Sequence, residues 1–151
     1  MTIHHSVDVE FEALLALSST VIIAEPASPH RVPETVPVVE AGKEYPPYQM
    51  EVLRYRVREV LYGSVSPGDT IEVVPATQAR QLKVHRAQVT SGVAPSLYVE
   101  RYRARSLLKA NEPRILFLNE RTPGQRYAEA VEGAAESVAQ RNKVVHWFKV
   151  R

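Results

Sequence analysis

The sequence predicts a mainly β domain of the α+β class, with one or two short helices. The chain has 151 residues, and a domain of that length buries about two thirds of the surface that its unfolded chain exposes. Hydrophobic residues make up 44% of the chain and charged residues 24%, which is typical of folded globular proteins. Short β-branched and aliphatic runs alternate with turns rich in Pro and Gly. We therefore expect one domain over residues 1–151.

The N-terminal region predicts a short helix followed by a buried strand. Apolar residues recur at three- and four-residue spacing over Val9–Leu17, with Asp8 placed to act as the N-cap. The continuous apolar run Val21–Ala24 is rich in β-branched residues, which suits a buried strand. Glu25–Pro47 then contains six prolines, and each removes a backbone hydrogen-bond donor. We therefore expect a long surface loop at about residues 25–47.

The next segment predicts a β-hairpin. From Tyr48 the residues alternate with period two, so that one side is apolar and the other basic. The apolar side holds Leu53, Tyr55, Val57 and Leu61, and the basic side holds Arg54, Arg56 and Arg58. Gly63–Asp69 is dense in turn residues, and Pro67 and Gly68 suit the central positions of a type II turn. Thr70–Val74 should form the second strand, paired in antiparallel orientation around Arg56 and Ile71.

The region after this hairpin is ambiguous. Ala76–Ser91 allows a weakly amphipathic helix or a strand, and we favour a helix that stops at Ser91–Gly92. Ser96–Arg105 is compatible with an extended or a helical conformation, and no periodicity decides between them.

The C-terminal third contains the clearest strand. Arg114–Leu118 is apolar on both faces, as a central strand requires. A turn is expected at Thr122–Gly124. Beyond it, alternation over Tyr127–Val138 competes with a helix over Arg126–Gln140. The tail Val144–Val150 alternates and predicts a final strand.

Three short segments carry a family resemblance. A strand ends in Val60-Leu61-Tyr62-Gly63, the apolar strand Thr70–Val74 follows a turn, and Arg114–Leu118 comes later. This order resembles bacterial relatives of the netrin and TIMP-like OB domains. The resemblance implies an OB-like, five- to six-stranded antiparallel Greek-key barrel that acts as a protein-binding module. Family members that inhibit metalloproteases use an N-terminal cysteine, which this chain lacks, so that activity is not implied.

The charges are segregated along the chain. Residues 1–53 hold 8 acidic and 2 basic groups, whereas residues 54–114 hold 5 acidic and 11 basic groups. The net charge of the whole chain is only +2. Such asymmetry indicates association with a partner and says nothing about the fold.

The candidate contact surface is a stripe of basic residues with interleaved tyrosines. It comprises Arg54, Arg56, Arg58, Lys83, Arg86, Tyr98, Arg101, Tyr102, Arg103 and Arg105. Arginines among aromatic rings suit single-stranded nucleic acid, because guanidinium groups contact phosphates and bases stack on rings. The acidic first third, however, offers internal partners for these cations. We therefore rank a solvated or internally paired strand face first, a protein-contact surface second and a nucleic-acid surface third.

The sequence predicts no catalytic residues, no cofactor and no metal. The five histidines are not spaced as metal ligands, and the chain contains no nucleophile elbow, phosphate-binding loop or dinucleotide motif. Cysteine is absent, which excludes thiolate chemistry. An uncharacterised metal-dependent hydrolase is therefore the least favoured alternative.

The expected function is that of a non-catalytic interaction module that binds another protein or a second copy of itself. Trp147 and Phe148 in the tail form a second candidate patch. The alternative is an OB domain that binds single-stranded nucleic acid. The apolar run Thr20–Ala24 is much shorter than the roughly 20 residues of a membrane-spanning helix, and Met1–Glu12 lacks the basic residues of a signal peptide. We therefore expect a cytoplasmic location and no membrane partner.

Overall fold

The computed structural model describes residues 3–93, 95–120 and 126–150. Within them the chain is mainly β, with a mostly antiparallel six-stranded sheet, a two-stranded parallel sheet and three α-helices, where one or two were expected. The elements are β1 (Ile3–Asp8), α1 (Phe11–Leu17), β2 (Thr20–Glu40), β3 (Lys43–Tyr62), β4 (Thr70–Val74), α2 (Ala76–Ser91), β5 (Ser96–Arg101), β6 (Arg114–Glu120), β7 (Tyr127–Glu129), β8 (Ala135–Ser137) and α3 (Arg141–Lys149). A single 3₁₀ turn, Val138–Gln140, precedes α3.

Five strands of the main sheet pair in a closed order, which we call the strand ring. In the described part of the chain β2 pairs with β3, β3 with β4, β4 with β7, β7 with β6, and β6 again with β2. Every pairing is antiparallel except β4 with β7, which is parallel. β8 pairs with β6 outside this closed order, and β1 pairs with β5 apart from the ring. The antiparallel hairpin of β3 and β4 is confirmed, with Tyr55 opposite Ile71.

A first core cluster lies inside the ring, because all five ring strands contribute to it. Its buried members are Ile22, Ala24, Tyr55, Val57, Ile71, Val73, Leu116, Leu118 and Tyr127. A second cluster covers the opposite faces of β2 and β6 with α1 and α3. It includes Val21 and Ile23 of β2, Ile115 and Phe117 of β6, Phe11, Leu14 and Leu15 of α1, and Val144 of α3. β2 and β6 are therefore buried on both faces over their apolar runs, as the sequence predicts.

A bulge in β3 corrects one expectation about its two faces. Ile23 is opposite Glu59 and Ala24 is opposite Val57, so Arg58 is an extra residue in β3. An extra residue reverses the alternation of side chains beyond it. Leu61 therefore packs against the second cluster instead of sharing the face of Val57.

The predicted loop at residues 25–47 is wrong, because β2 and β3 extend past the ring as a long two-stranded hairpin. Residues 31–40 and 43–52, which we call the hairpin arm, pair from Val32–Val52 to Glu40–Lys43. No third described strand pairs with the arm, so each of its strands has an unpaired edge where a proline's missing N–H is tolerated. Ala41 and Gly42 close the arm with φ angles of 52° and 76°, as in a type I′ turn.

The structure settles the ambiguous segments. The helix over Ala76–Ser91 is confirmed, and Gly92 ends it with a left-handed φ of 72°. β5 shows that the segment after Ser96 is extended. The competing helix over Arg126–Gln140 is wrong, because β7 and β8 occupy this region and Gly133 turns between them with φ 78°. The turn expected at 122–124 lies outside the described residues.

Two further expectations, one about the start of α1 and one about the C-terminal tail, are also wrong. The N-cap of α1 is Glu10 instead of Asp8, and its side chain makes no capping hydrogen bond. The C-terminal tail forms α3 instead of a strand. Val144 is buried and Trp147 and Phe148 are half-buried, a spacing of three and four residues that turns all three toward the second cluster.

Candidate functional site

The predicted arginines of β3 are held by neighbouring groups. Arg56 and Arg58 share the carboxylate of Glu25 on β2, with nitrogen–oxygen distances of 3.9 Å and 2.7 Å. Arg54 donates a hydrogen bond of 3.3 Å to the carbonyl of Pro29. These contacts partly neutralise this section of the stripe within the fold.

The second section of the stripe follows β5. Arg103 lies 3.7 Å from the carboxylate of Asp8, and the guanidinium of Arg105 lies 4.8 Å from the ring centre of Phe11. The backbone of Arg101 forms an isolated parallel β-bridge with that of Glu132, and the side-chain Nε of Arg101 is buried with no hydrogen-bond partner among the described residues. The side chain of Tyr98 is outside what the structure describes.

Tyr102 belongs to the core instead of the surface. Its side chain is buried in the second cluster, and its hydroxyl donates a 2.5 Å hydrogen bond to Glu136, a fully buried carboxyl group. The backbone N–H of Arg105 donates to the same oxygen at 2.7 Å. Burial, followed by the hydrogen bond to Glu136, raises the pKa of the Tyr102 phenol. A buried ring cannot serve as a stacking platform for a base.

Lys83 and Arg86 are exposed on α2, and Lys83 borders a cavity of about 420 Å³ against residues 130–132. The ten predicted residues come from three segments of the fold, which are β3, α2 and β5 with the residues that follow it.

The tail patch of Trp147 and Phe148 lies on α3. Both side chains are half-buried and pack against the second cluster. The ring of Phe148 stacks on Tyr62 of β3, with centroids 4.1 Å apart and planes 7° apart. These contacts dock α3 on the strand ring and leave only part of each aromatic side chain exposed.

An open groove lies where the β3–β4 hairpin meets β6 and β7. Its volume is about 910 Å³, near the upper end of the roughly 300–1,000 Å³ typical of ligand-binding pockets. It is lined by Arg54, Ser64, Val65, Asp69, Thr70, Ile71, Glu72, Glu120, Arg126 and Tyr127. Arg54 is the one member of the predicted stripe among these residues.

Alternating charges cross this groove. Arg54 is opposite Glu72 in the β3–β4 pairing, and Arg126 lies 3.0 Å from Glu72 and 2.5 Å from Glu34 of the hairpin arm. The hydrogen bonds from Arg126 to Glu34 and Glu72 raise the pKa of its guanidinium. The positive charge of Arg126 is therefore already matched, and its side chain ties the arm to the strand ring.

One end of the groove carries unmatched negative charge. Asp69 and Glu120 are exposed, and neither forms an ion pair with another described residue. Asp69 accepts only a 3.3 Å hydrogen bond from the backbone N–H of Ser66. The pKa of the Tyr127 phenol is raised, first by burial and then by the negative charges of Glu120 and Asp69. We call Asp69 and Glu120 the acidic end of the groove.

Sequence reasoning missed most of the groove because its residues come from separate segments. Asp69 sits in a turn, Glu120 ends β6 and Arg126 precedes β7. The one available signal was the predicted pairing of β3 with β4, which brings Arg54 opposite Glu72.

The described residues include no group of three or more His, Asp or Glu side chains that could hold a metal ion. Among the same residues, no helix is long and apolar enough to cross a membrane. No protein-family model and no curated protein matches this chain.

Proposed function

We propose that this chain is a non-catalytic protein-binding module, built as an OB-like Greek-key barrel, with the groove as its contact surface. The order of the strand ring supports the barrel, since OB folds are five-stranded barrels. In such folds ligands bind at the second and third strands and at the loops beside them. In the ring these strands are β3 and β4, both of which line the groove.

The balance of charge is the observation that carries the proposal. The groove holds three carboxylates and two guanidinium groups, and Arg126 is already paired with carboxylates. Nucleic-acid affinity comes largely from cations that neutralise phosphates. The arginines expected to do so at the stripe contact Glu25, Asp8 and the ring of Phe11 instead. An exposed groove of mixed charge fits a protein surface better than a polyanion.

A substitution that fills the groove tests this proposal. Thr70 is exposed on β4 at the groove, and Thr70→Arg adds bulk and one positive charge there. Gln88→Arg is the matched control, because Gln88 is exposed on α2 and does not line the groove. Wild type and both variants are immobilised, and bound proteins are quantified by mass spectrometry. We expect a set of proteins retained by wild type and Gln88→Arg and lost by Thr70→Arg.

A single-stranded oligonucleotide provides the competing measurement. Each form is titrated with a labelled mixed-sequence strand at low and moderate salt. We expect no binding at moderate salt. Salt-dependent oligonucleotide binding, together with identical protein sets for the two variants, would overturn the proposal in favour of a nucleic-acid module.

A further inference from the structure

We infer that the partner bound in the groove is a basic segment of another protein, which places a lysine or arginine side chain at the acidic end between Asp69 and Glu120. This inference rests on the proposed function and adds the chemical class of the partner. Three observations support it. They are the ion pairs that the groove residues already form, the groups beside the acidic end and the size of the groove.

At the acidic end of the groove, the charges that have no ion partner among the described residues are negative. Arg126 contacts two carboxylates, and Arg54 contacts a carbonyl oxygen while lying opposite Glu72. Asp69 and Glu120 have no ion partner among the described residues. A bound cation therefore gains charge complementarity without breaking an existing ion pair, whereas an anion would face two uncompensated carboxylates.

The surroundings of the acidic end suit a long cationic side chain. Val65 lines the groove as a half-buried apolar residue and offers a contact for the methylene stem of lysine or arginine. The phenol of Tyr127 lies close enough to both carboxylates for their charges to act on it. A guanidinium or ammonium group at this point is attracted by both carboxylates while its stem lies on apolar surface.

The size of the groove favours a protein segment over a small cation. A volume of about 910 Å³ is far larger than one ion needs, and the described residues provide no metal-binding cluster. Glu72 and Arg126 also line the groove and lie 3.0 Å apart. A partner segment of several residues can contact these groups as well, with its basic residue fixing the register.

Fluorescence anisotropy with three labelled peptides of equal length tests the inference. One peptide alternates arginine with serine, the second replaces arginine with glutamate and the third replaces it with glutamine. The proteins are wild type, the double variant Asp69→Asn with Glu120→Gln, and the control Glu10→Gln with Glu12→Gln. The control removes the same total charge from exposed residues that do not line the groove. The substitution Asp69→Asn keeps a side-chain oxygen that can accept the hydrogen bond from Ser66.

We expect the arginine peptide to bind wild type and the control alike, and to bind the double variant about fivefold more weakly, the size expected for two exposed ion pairs. Raising the salt concentration should remove most of that difference. Equal affinity for the glutamine or glutamate peptide, or equal weakening by the control, would overturn the inference.

The two proposals fail in distinguishable ways. If Thr70→Arg abolishes protein capture but no peptide preference is found, the partner class is wrong and the binding function stands. If Thr70→Arg leaves the set of captured proteins unchanged and no peptide binds, both the binding function and the partner class are wrong.

Discussion

The strand ring and the hairpin arm are made from the same two strands, β2 and β3, yet they are stabilised differently. In the ring, consecutive residues Val21 and Ile22 are both fully buried, one in each core cluster. In the arm, side chains alternate between exposed and half-buried over most of β2, and only Val38, Met50 and Val52 are buried. The ring is therefore stabilised chiefly by apolar burial.

The arm has only a small apolar cluster, in which Met50 and Val52 pack against Val74 of β4, and is otherwise held by individual polar contacts between its two strands and with α2. The hydroxyl of Tyr48 lies 3.1 Å and 3.0 Å from the side-chain oxygens of Gln78 and Gln81. His85 of α2 lies 2.7 Å from the carbonyl of Pro46. Arg31 pairs with Glu51 across the arm at 2.7 Å. Because exposed pairs of this kind contribute little each, the arm should open more easily than the ring.

The largest expected loss of stability comes from a substitution that creates a cavity in the second core cluster, which covers the ring. Phe117 of β6 is fully buried and packs edge-on against Phe11 of α1. Phe117→Ala should lower the free energy of unfolding by about 3–5 kcal/mol, measured by urea denaturation. Val39→Ala, at an exposed position of the arm, should change it by less than about 0.5 kcal/mol. Similar losses for both variants would refute the contrast between ring and arm.

A buried polar contact beside the ring should have the next largest effect. Tyr102→Phe removes the hydroxyl that donates to the fully buried Glu136. Loss of this donor should cost about 1–3 kcal/mol in the same measurement. Tyr62→Phe is the control, because Tyr62 is exposed and its stacking on Phe148 is retained. An equally small change for both variants would mean that Glu136 does not need the hydroxyl.

The contact between the arm and α2 tests whether the arm opens independently of the ring. Tyr48→Phe should cost about 0.5–1.5 kcal/mol. Hydrogen exchange should accelerate in residues 43–52 and 76–91 and stay unchanged in β6, because only the arm and α2 lose a contact. Equal acceleration in β6 would show that arm and ring unfold as one unit.

The smallest effect is a pH dependence where the ring meets α2. Glu129 of β7 accepts a 2.8 Å hydrogen bond from the backbone N–H of Ala76, at the start of α2. Burial raises the pKa of this carboxyl above its ordinary value of 4.5. The folded state therefore binds the proton more tightly than the unfolded chain does. The contribution of Glu129 to stability decreases as the pH rises from the pKa of the unfolded chain to the higher pKa of the folded state.

Glu129→Gln keeps an acceptor for Ala76 and removes the charge. Its melting temperature should exceed that of wild type at pH 7, and the difference should shrink as the pH falls to about 4. Glu44→Gln, an exposed position of the arm, serves as the control. A difference that grows toward low pH would contradict the assignment of burial as the main cause.

The sequence was sufficient to predict the ring where burial leaves a continuous apolar run, as at Val21–Ala24 and Arg114–Leu118. It was insufficient for the arm, because the prolines there argue against a central strand and these strands have an unpaired edge. α3 was missed because Val144 and Phe148 fit period-two alternation as well as helical spacing, and only Trp147 separates the two patterns.

The groove was out of reach of the sequence for a different reason. Asp69, Glu120 and Arg126 come together only when β4, β6 and β7 pair in the ring. The stripe of arginines was visible, but the carboxylates that hold Arg58 and Arg103 lie far away in the chain. The local sequence pattern shows which residues are charged, but only the tertiary structure shows which groups they pair with.

The most direct test of the account is to map the bound arginine peptide by ¹H–¹⁵N correlation spectra. We predict chemical-shift changes at the amides of residues 64–66, 69–72, 120 and 126–127, with little change at residues 56–58 and 101–105. Changes confined to residues 56–58 and 101–105 would contradict the account, because they would place the contact surface at the arginine stripe instead of the groove.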